Sequence, residues 1–72
     1  MQKIKKIEIK VNGKVKFVPV RFSVLDLVKN LKIPIKKVAI ELNQEIMDKK
    51  NLNKINLKDN DKIEIVHFIG GG

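Results

Sequence analysis

The chain has 72 residues, no cysteine and a formal net charge of +8 at pH 7. A chain this short holds one domain that buries only about 60% of its unfolded surface, and without cysteine it has no disulfide or thiolate metal site to reinforce it. It contains no apolar run long enough to cross a membrane, and its start, Met1-Gln2-Lys3-Ile4-Lys5-Lys6, lacks an apolar signal region, so a soluble cytoplasmic protein is expected.

Ile7, Ile9 and Val11 alternate with Glu8 and Lys10, which predicts a strand with one buried face. Asn12-Gly13 follows, a strong hairpin signal because both residues tolerate positive φ. Val15 and Phe17 continue the alternation in a second strand, and Pro19 ends it because proline cannot donate to the ladder. Residues 4–19 are therefore expected to form a β-hairpin. Ser23 opens a helix: its hydroxyl can accept from the amide of Asp26, which stands in for the usual capping-box Glu and suits the positive helix end. Val24, Leu25, Leu27, Val28 and Leu31 form one apolar stripe to cover the hairpin's apolar face. Pro34 pushes Ile33 out of the helical region, so the helix stops near Leu31 and Lys32.

Val38, Ile40 and Leu42 alternate with Ala39 and Glu41 in a third strand, and Asn43-Gln44 turns into a short return strand around Glu45 to Met47. Asp48 to Leu57 is polar apart from the anchors Leu52, Ile55 and Leu57, and is expected to be a loop with one helical turn. Asp59-Asn60-Asp61 is another turn, with Asn60 suited to the left-handed conformation. Lys62 to Ile69 is the last strand. Ile63 and Ile65 face the core, while Val66 and Phe68 have the opposite parity and project from the other face.

A helix between strands usually makes a right-handed crossover that leaves a later strand parallel to an earlier one. With one main helix, one sheet face is covered and the other meets solvent or a partner. The expected fold is α+β of the β-grasp, ubiquitin-like type: a mixed sheet of about five strands with the helix packed on one face. Residues 1–69 form the single domain and residues 70–72 a flexible Gly-Gly-Gly tail.

The side chains supply little chemistry. The one histidine, His67, lies on the last strand and suits either a partner contact or an ordinary strand position. The one serine, Ser23, serves as a cap. Asp59 and Asp61 flank a turn residue and are expected to form the turn rather than to bind a metal. No glycines precede a helix with a lysine inside it, so there is no phosphate loop. Sixteen lysine and arginine residues, of which only Arg21 is arginine, suggest acidic partners, either nucleic acid or protein. The lysines are dispersed, and the only aromatics are Phe17, Phe22 and Phe68. Single-strand binding favours exposed aromatics beside the charge, and base readout favours arginine forks. The basic surface is therefore expected to be solvated. A nucleic-acid-binding β-grasp module remains the alternative of a different class, distinguishable by a steep salt dependence.

What remains is the carboxylate of Gly72. Three glycines add no folding stability, and such an ending is either a frayed terminus or a side-chain-free thread into a partner's active site. In the second case Gly70 and Gly71 are the thread. Joining the Gly72 carboxylate to AMP makes its oxygen a leaving group, and a sulfur nucleophile can then form an acyl thiol species. Val66 and Phe68, beside the tail, are the expected docking patch, and Ala39 on the same face leaves room for a partner's side chain.

The segment Asp59-Asn60-Asp61-Lys62-Ile63-Glu64-Ile65-Val66-His67-Phe68-Ile69-Gly70-Gly71-Gly72 resembles the end of the ThiS family of thiamine-biosynthesis sulfur carriers. The Asn12-Gly13 hairpin, the Ser23 helix start and the Ala39-Ile40-Glu41-Leu42-Asn43 stretch also fit, so the resemblance spans the chain. Asn60 and Gln44 stand where the family often has glycine; Gln44 suits a left-handed turn poorly. The resemblance implies a cosubstrate protein rather than an enzyme, with no bound cofactor. An E1-like adenylyltransferase would use ATP to adenylate Gly72, sulfur from a cysteine desulfurase persulfide would convert it to a thiocarboxylate, and thiazole synthase would take the sulfur into the thiazole of thiamine. MoaD, the small subunit of molybdopterin synthase, is the related alternative; its prolines before the tail are missing from Val66-His67-Phe68-Ile69. Other sulfur-transfer carriers and ubiquitin-like protein modifiers share the ending and stay open.

Overall fold

The computed structural model describes residues 5–68, so Ile4 of the expected hairpin, Ile69 of the expected last strand and the Gly70–Gly72 tail lie outside the described residues. Strand β1 (Lys6–Val11) and strand β2 (Lys14–Pro19) form the expected hairpin, with Val11 opposite Lys14 across the two-residue turn. Asn12 and Gly13 take φ of 50° and 82°, the paired positive values that match a hairpin's twist.

Helix α1 (Val24–Asn30) starts at a complete capping box. The Asp26 amide donates to Ser23 Oγ at 3.0 Å, and the Ser23 amide donates to Asp26 Oδ2 at 3.0 Å. The helix ends at Leu31, and Lys32 turns the chain out with φ of 59° before Pro34. A short 3-10 turn (Ile35–Lys37) leads into strand β3 (Val38–Leu42). Strand β4 (Glu45–Ile46) pairs back onto it. The polar stretch after β4 folds into a six-residue 3-10 helix (Lys49–Lys54), longer than the single turn expected. It is capped by Asp48, whose Oδ1 accepts from the Lys50 amide at 2.9 Å. The last strand, β5 (Lys62–His67), follows the Asp59–Asp61 turn, where Asn60 has φ of 71°.

The sheet order is β2-β1-β5-β3-β4. β1 and β5 run parallel and the other neighbours antiparallel, which is the β-grasp arrangement. The core is entirely aliphatic. Ile9 and Val18 from the hairpin, Val38 and Ile40 from β3, and Ile63 and Ile65 from β5 meet Val24, Leu27 and Val28 of α1. Leu52 and Leu57 close the same side of the sheet, so the anchors expected in the polar stretch do reach the core, with Ile55 packed against its edge.

The turns are tied together by side chains. Asp59 Oδ1 accepts from the Glu8 amide at 2.8 Å, and Asp61 Oδ2 accepts from the Lys58 amide at 2.7 Å. Asn43 donates through Nδ2 to Asp61 Oδ1 at 2.9 Å and accepts at Oδ1 from the Lys62 amide at 3.0 Å. These two aspartates are turn formers, and no cluster of three or more metal-ligating side chains occurs among the described residues. No described helix is long and apolar enough to cross a membrane.

Candidate functional site

The site is built on the sheet face that α1 leaves bare, at the point where β5 ends. Side chains alternate along a strand, and burial of Ile63 and Ile65 turns Val66 and Phe68 outward. Val66 is 52% and Phe68 54% exposed. Ala39 sits directly opposite Val66 in the β3–β5 register, so the neighbouring strand presents only a methyl group beside this valine.

Phe68 lies one residue past β5, yet two elements hold it. Its amide donates to the Lys37 carbonyl at 2.9 Å, extending the pairing with the β3 side of the sheet. From the 3-10 helix, the ammonium of Lys49 stands 5.2 Å from the Phe68 ring centroid, within cation–π range. Lys49 was not singled out from the sequence; only the tertiary path of the 3-10 helix brings it to β5. His67 is exposed, opposite Val38 at the end of the sheet. Gly70, Gly71 and Gly72 lie outside the described residues.

A second apolar pair appears where the sequence reading did not place it. Val15 and Phe17 do not share the covered face of the hairpin: they are 53% and 61% exposed, while Val18 is the buried residue of β2. The two-residue turn explains this. It puts each odd-numbered residue of β1 opposite an even-numbered residue of β2, so Ile7 faces Val18 and Ile9 faces Lys16. Val15 and Phe17 therefore share the outer face with Lys10 and Glu8. Carrying the register through Asn12-Gly13 was the signal that could have found them.

A five-stranded mixed sheet, one helix on one face and exposed apolar residues on the other define a ubiquitin-like β-grasp protein. The sequence profile of the ThiS family matches residues 9–72. The chain is 40% identical over 65 residues to the sulfur carrier protein ThiS of Bacillus subtilis (strain 168), covering 89% of this chain and 98% of that one. The crystal structure of the thiamine biosynthesis protein ThiS from Geobacter metallireducens superposes with a TM-score of 0.79 at 32% identity, covering 92% of this chain and 100% of that one. A thiazole synthase of Paramagnetospirillum magneticum contains a stretch 39% identical over 62 residues, 86% of this chain and 19% of the synthase. The chain belongs to the ThiS family.

Proposed function

We propose that this protein is a sulfur carrier of thiamine biosynthesis and that the carboxylate of Gly72 is its working group. The reading rests on one observation above the others: the family match runs through the glycine tail to residue 72. A carboxylate is inert to acyl transfer because its oxygen is a poor leaving group. An E1-like activating enzyme joins that oxygen to AMP from ATP, with release of pyrophosphate. A persulfide sulfur, supplied originally by a cysteine desulfurase, attacks the carbonyl carbon and expels AMP. Reductive cleavage of the resulting acyl disulfide by a thiol leaves the thiocarboxylate. Thiazole synthase is the acceptor, a pairing supported by the synthase that contains a stretch similar to this chain.

The chain's own contribution is geometry. Gly70 and Gly71 have no side chains to obstruct a narrow channel, and nothing crowds the carbonyl carbon of Gly72. Val66 and Phe68 offer apolar area beside the tail for docking, and Ala39 leaves room there for a partner's side chain.

The test is intact mass spectrometry after incubation with an activating enzyme, ATP and a sulfur donor. One oxygen of the protein should be exchanged for sulfur, and fragmentation should place the change at Gly72. Deleting Gly72, or adding a residue after it, should stop the exchange without changing the melting curve. Unchanged mass across the candidate activating enzymes would rule this function out.

A further inference from the structure

We propose that the outer face of β2 is a second docking surface, for a partner protein that presents an apolar residue flanked by carboxylates. β2 places its residues against the interest of folding stability. Lys16 points to the helix side opposite Ile9, where it is half-buried, while Val15 and Phe17 stand exposed on the bare face. Neither exposed side chain contributes to the core, so their apolar area is available for a partner.

The charges beside this pair indicate the partner's chemistry. Val15, Lys10 and Lys62 lie in one row across β2, β1 and β5. The two lysines line a shallow concavity of about 230 Å³ together with Gly13, Ile63 and Glu64. Like charges in directly neighbouring strand positions repel each other, and a carboxylate seated between the ammonium groups relieves that repulsion. Phe17, two pairs further along and on the same face, supplies the apolar contact.

Other occupants fit less well. Two β2 edges joined together would bring Lys14 and Lys16 of two chains of charge +8 into apposition, the arrangement by which edge lysines block self-pairing. Glu64 lines the same concavity and Glu8 stands opposite Phe17, so the positive site is confined to Lys10 and Lys62. It suits a localised carboxylate, whereas a phosphate backbone, charged at every step, would run over both glutamates. The surface is also separate from the Val66–Phe68 patch. Val66 lies four residues beyond Lys62 along β5, roughly 13 Å at the strand rise, and β1 stands between β2 and β5. A carrier held through β2 therefore keeps the face beside its tail free.

The probes are the activating enzyme and the thiazole synthase of the same organism, and in that choice the inference rests on the proposed function. Binding of the full chain to each is measured by calorimetry at low and high salt, without turnover. Phe17→Thr keeps strand propensity, and Lys10→Glu/Lys62→Glu reverses the charge; melting curves check that both variants fold. Each should raise Kd for one of the two enzymes about tenfold or more, and the charge variant should flatten the salt dependence. Unchanged Kd values for both enzymes overturn the inference, as does the absence of wild-type binding to either. It is also overturned if Phe17→Thr instead dissolves a dimer seen by sedimentation, or if the charge variant alone weakens binding to a single-stranded oligonucleotide. Sulfur loading at saturating enzyme reads the proposed function separately: normal loading with unchanged Kd values removes only the present inference.

Discussion

The side chain of Asn12 grips the backbone of Ile65 at both of its polar groups: Oδ1 accepts from the Ile65 amide at 2.7 Å, and Nδ2 donates to the Ile65 carbonyl at 3.2 Å. β1 ends at Val11, but its pairing with β5 does not, because the Asn12 side chain continues the ladder in place of backbone. The Asn12 amide adds a bond to the Ile63 carbonyl at 2.9 Å. The residue therefore has two roles, one in the hairpin turn and one in anchoring the strand that leads to the tail.

Asn12→Gly separates those roles. Glycine accepts the positive φ of this turn position but leaves both Ile65 groups without these partners. The loss should be about 1–3 kcal/mol in urea unfolding, and the Ile65 amide should exchange faster with solvent. An unchanged midpoint would mean that water replaces the side chain at no cost.

The second hairpin turn carries strain. Asn43 and Gln44 have φ of 51° and 73°, and glutamine lacks the short side chain that eases asparagine into this region. Gln44→Gly should raise stability by about 1 kcal/mol. A midpoint that stays level or falls would show that β4 already relieves the strain.

Leu52→Ala addresses the polar stretch. Leu52 is fully buried although it sits in a 3-10 helix of otherwise polar residues. Its truncation should cost about 2–5 kcal/mol, a large share of what a domain this small possesses. Thermal unfolding monitored by circular dichroism should shift far down or lose its cooperativity. A small shift would place the 3-10 helix outside the cooperative unit.

Val66→Asp should do the opposite. The side chain is half exposed on the bare face, so stability should stay within about 0.5 kcal/mol. The apparent affinity for the activating enzyme should fall about tenfold, since a carboxylate would then sit at the centre of an apolar contact. Normal loading kinetics would exclude this residue from docking.

Much of this architecture was legible because local signals agreed with the global fold. Alternation marked β1, β3 and β5; Asn12-Gly13 marked the hairpin; Ser23 with Asp26 set the helix start; and Pro34 set its end. What escaped was long-range. Alternation in β2 shows that the strand has two faces and leaves open which one the helix covers; the register across the turn decides, and it sends Phe17 outward. The ring of Phe68 meets Lys49, nineteen positions earlier in the chain, through a fold no local pattern describes. The turn at Asn43-Gln44 was legible, but the positive φ of Gln44 runs against the preference of glutamine, and the pairing of β3 with β4 imposes it.

The sheet order carries a further consequence, for the time at which this protein becomes a protein. β2-β1 and β3-β4 share no strand-to-strand bonds; β5 alone joins them. The residues that form this joint, 62–67, leave the ribosome after every other strand. Until they emerge, no strand joins the two halves of the sheet, and an isolated hairpin or a seven-residue helix is marginal in water. The folded surface thus comes into being only with the strand that leads to the tail, and a partner that recognises the assembled sheet does not meet a chain halted before it.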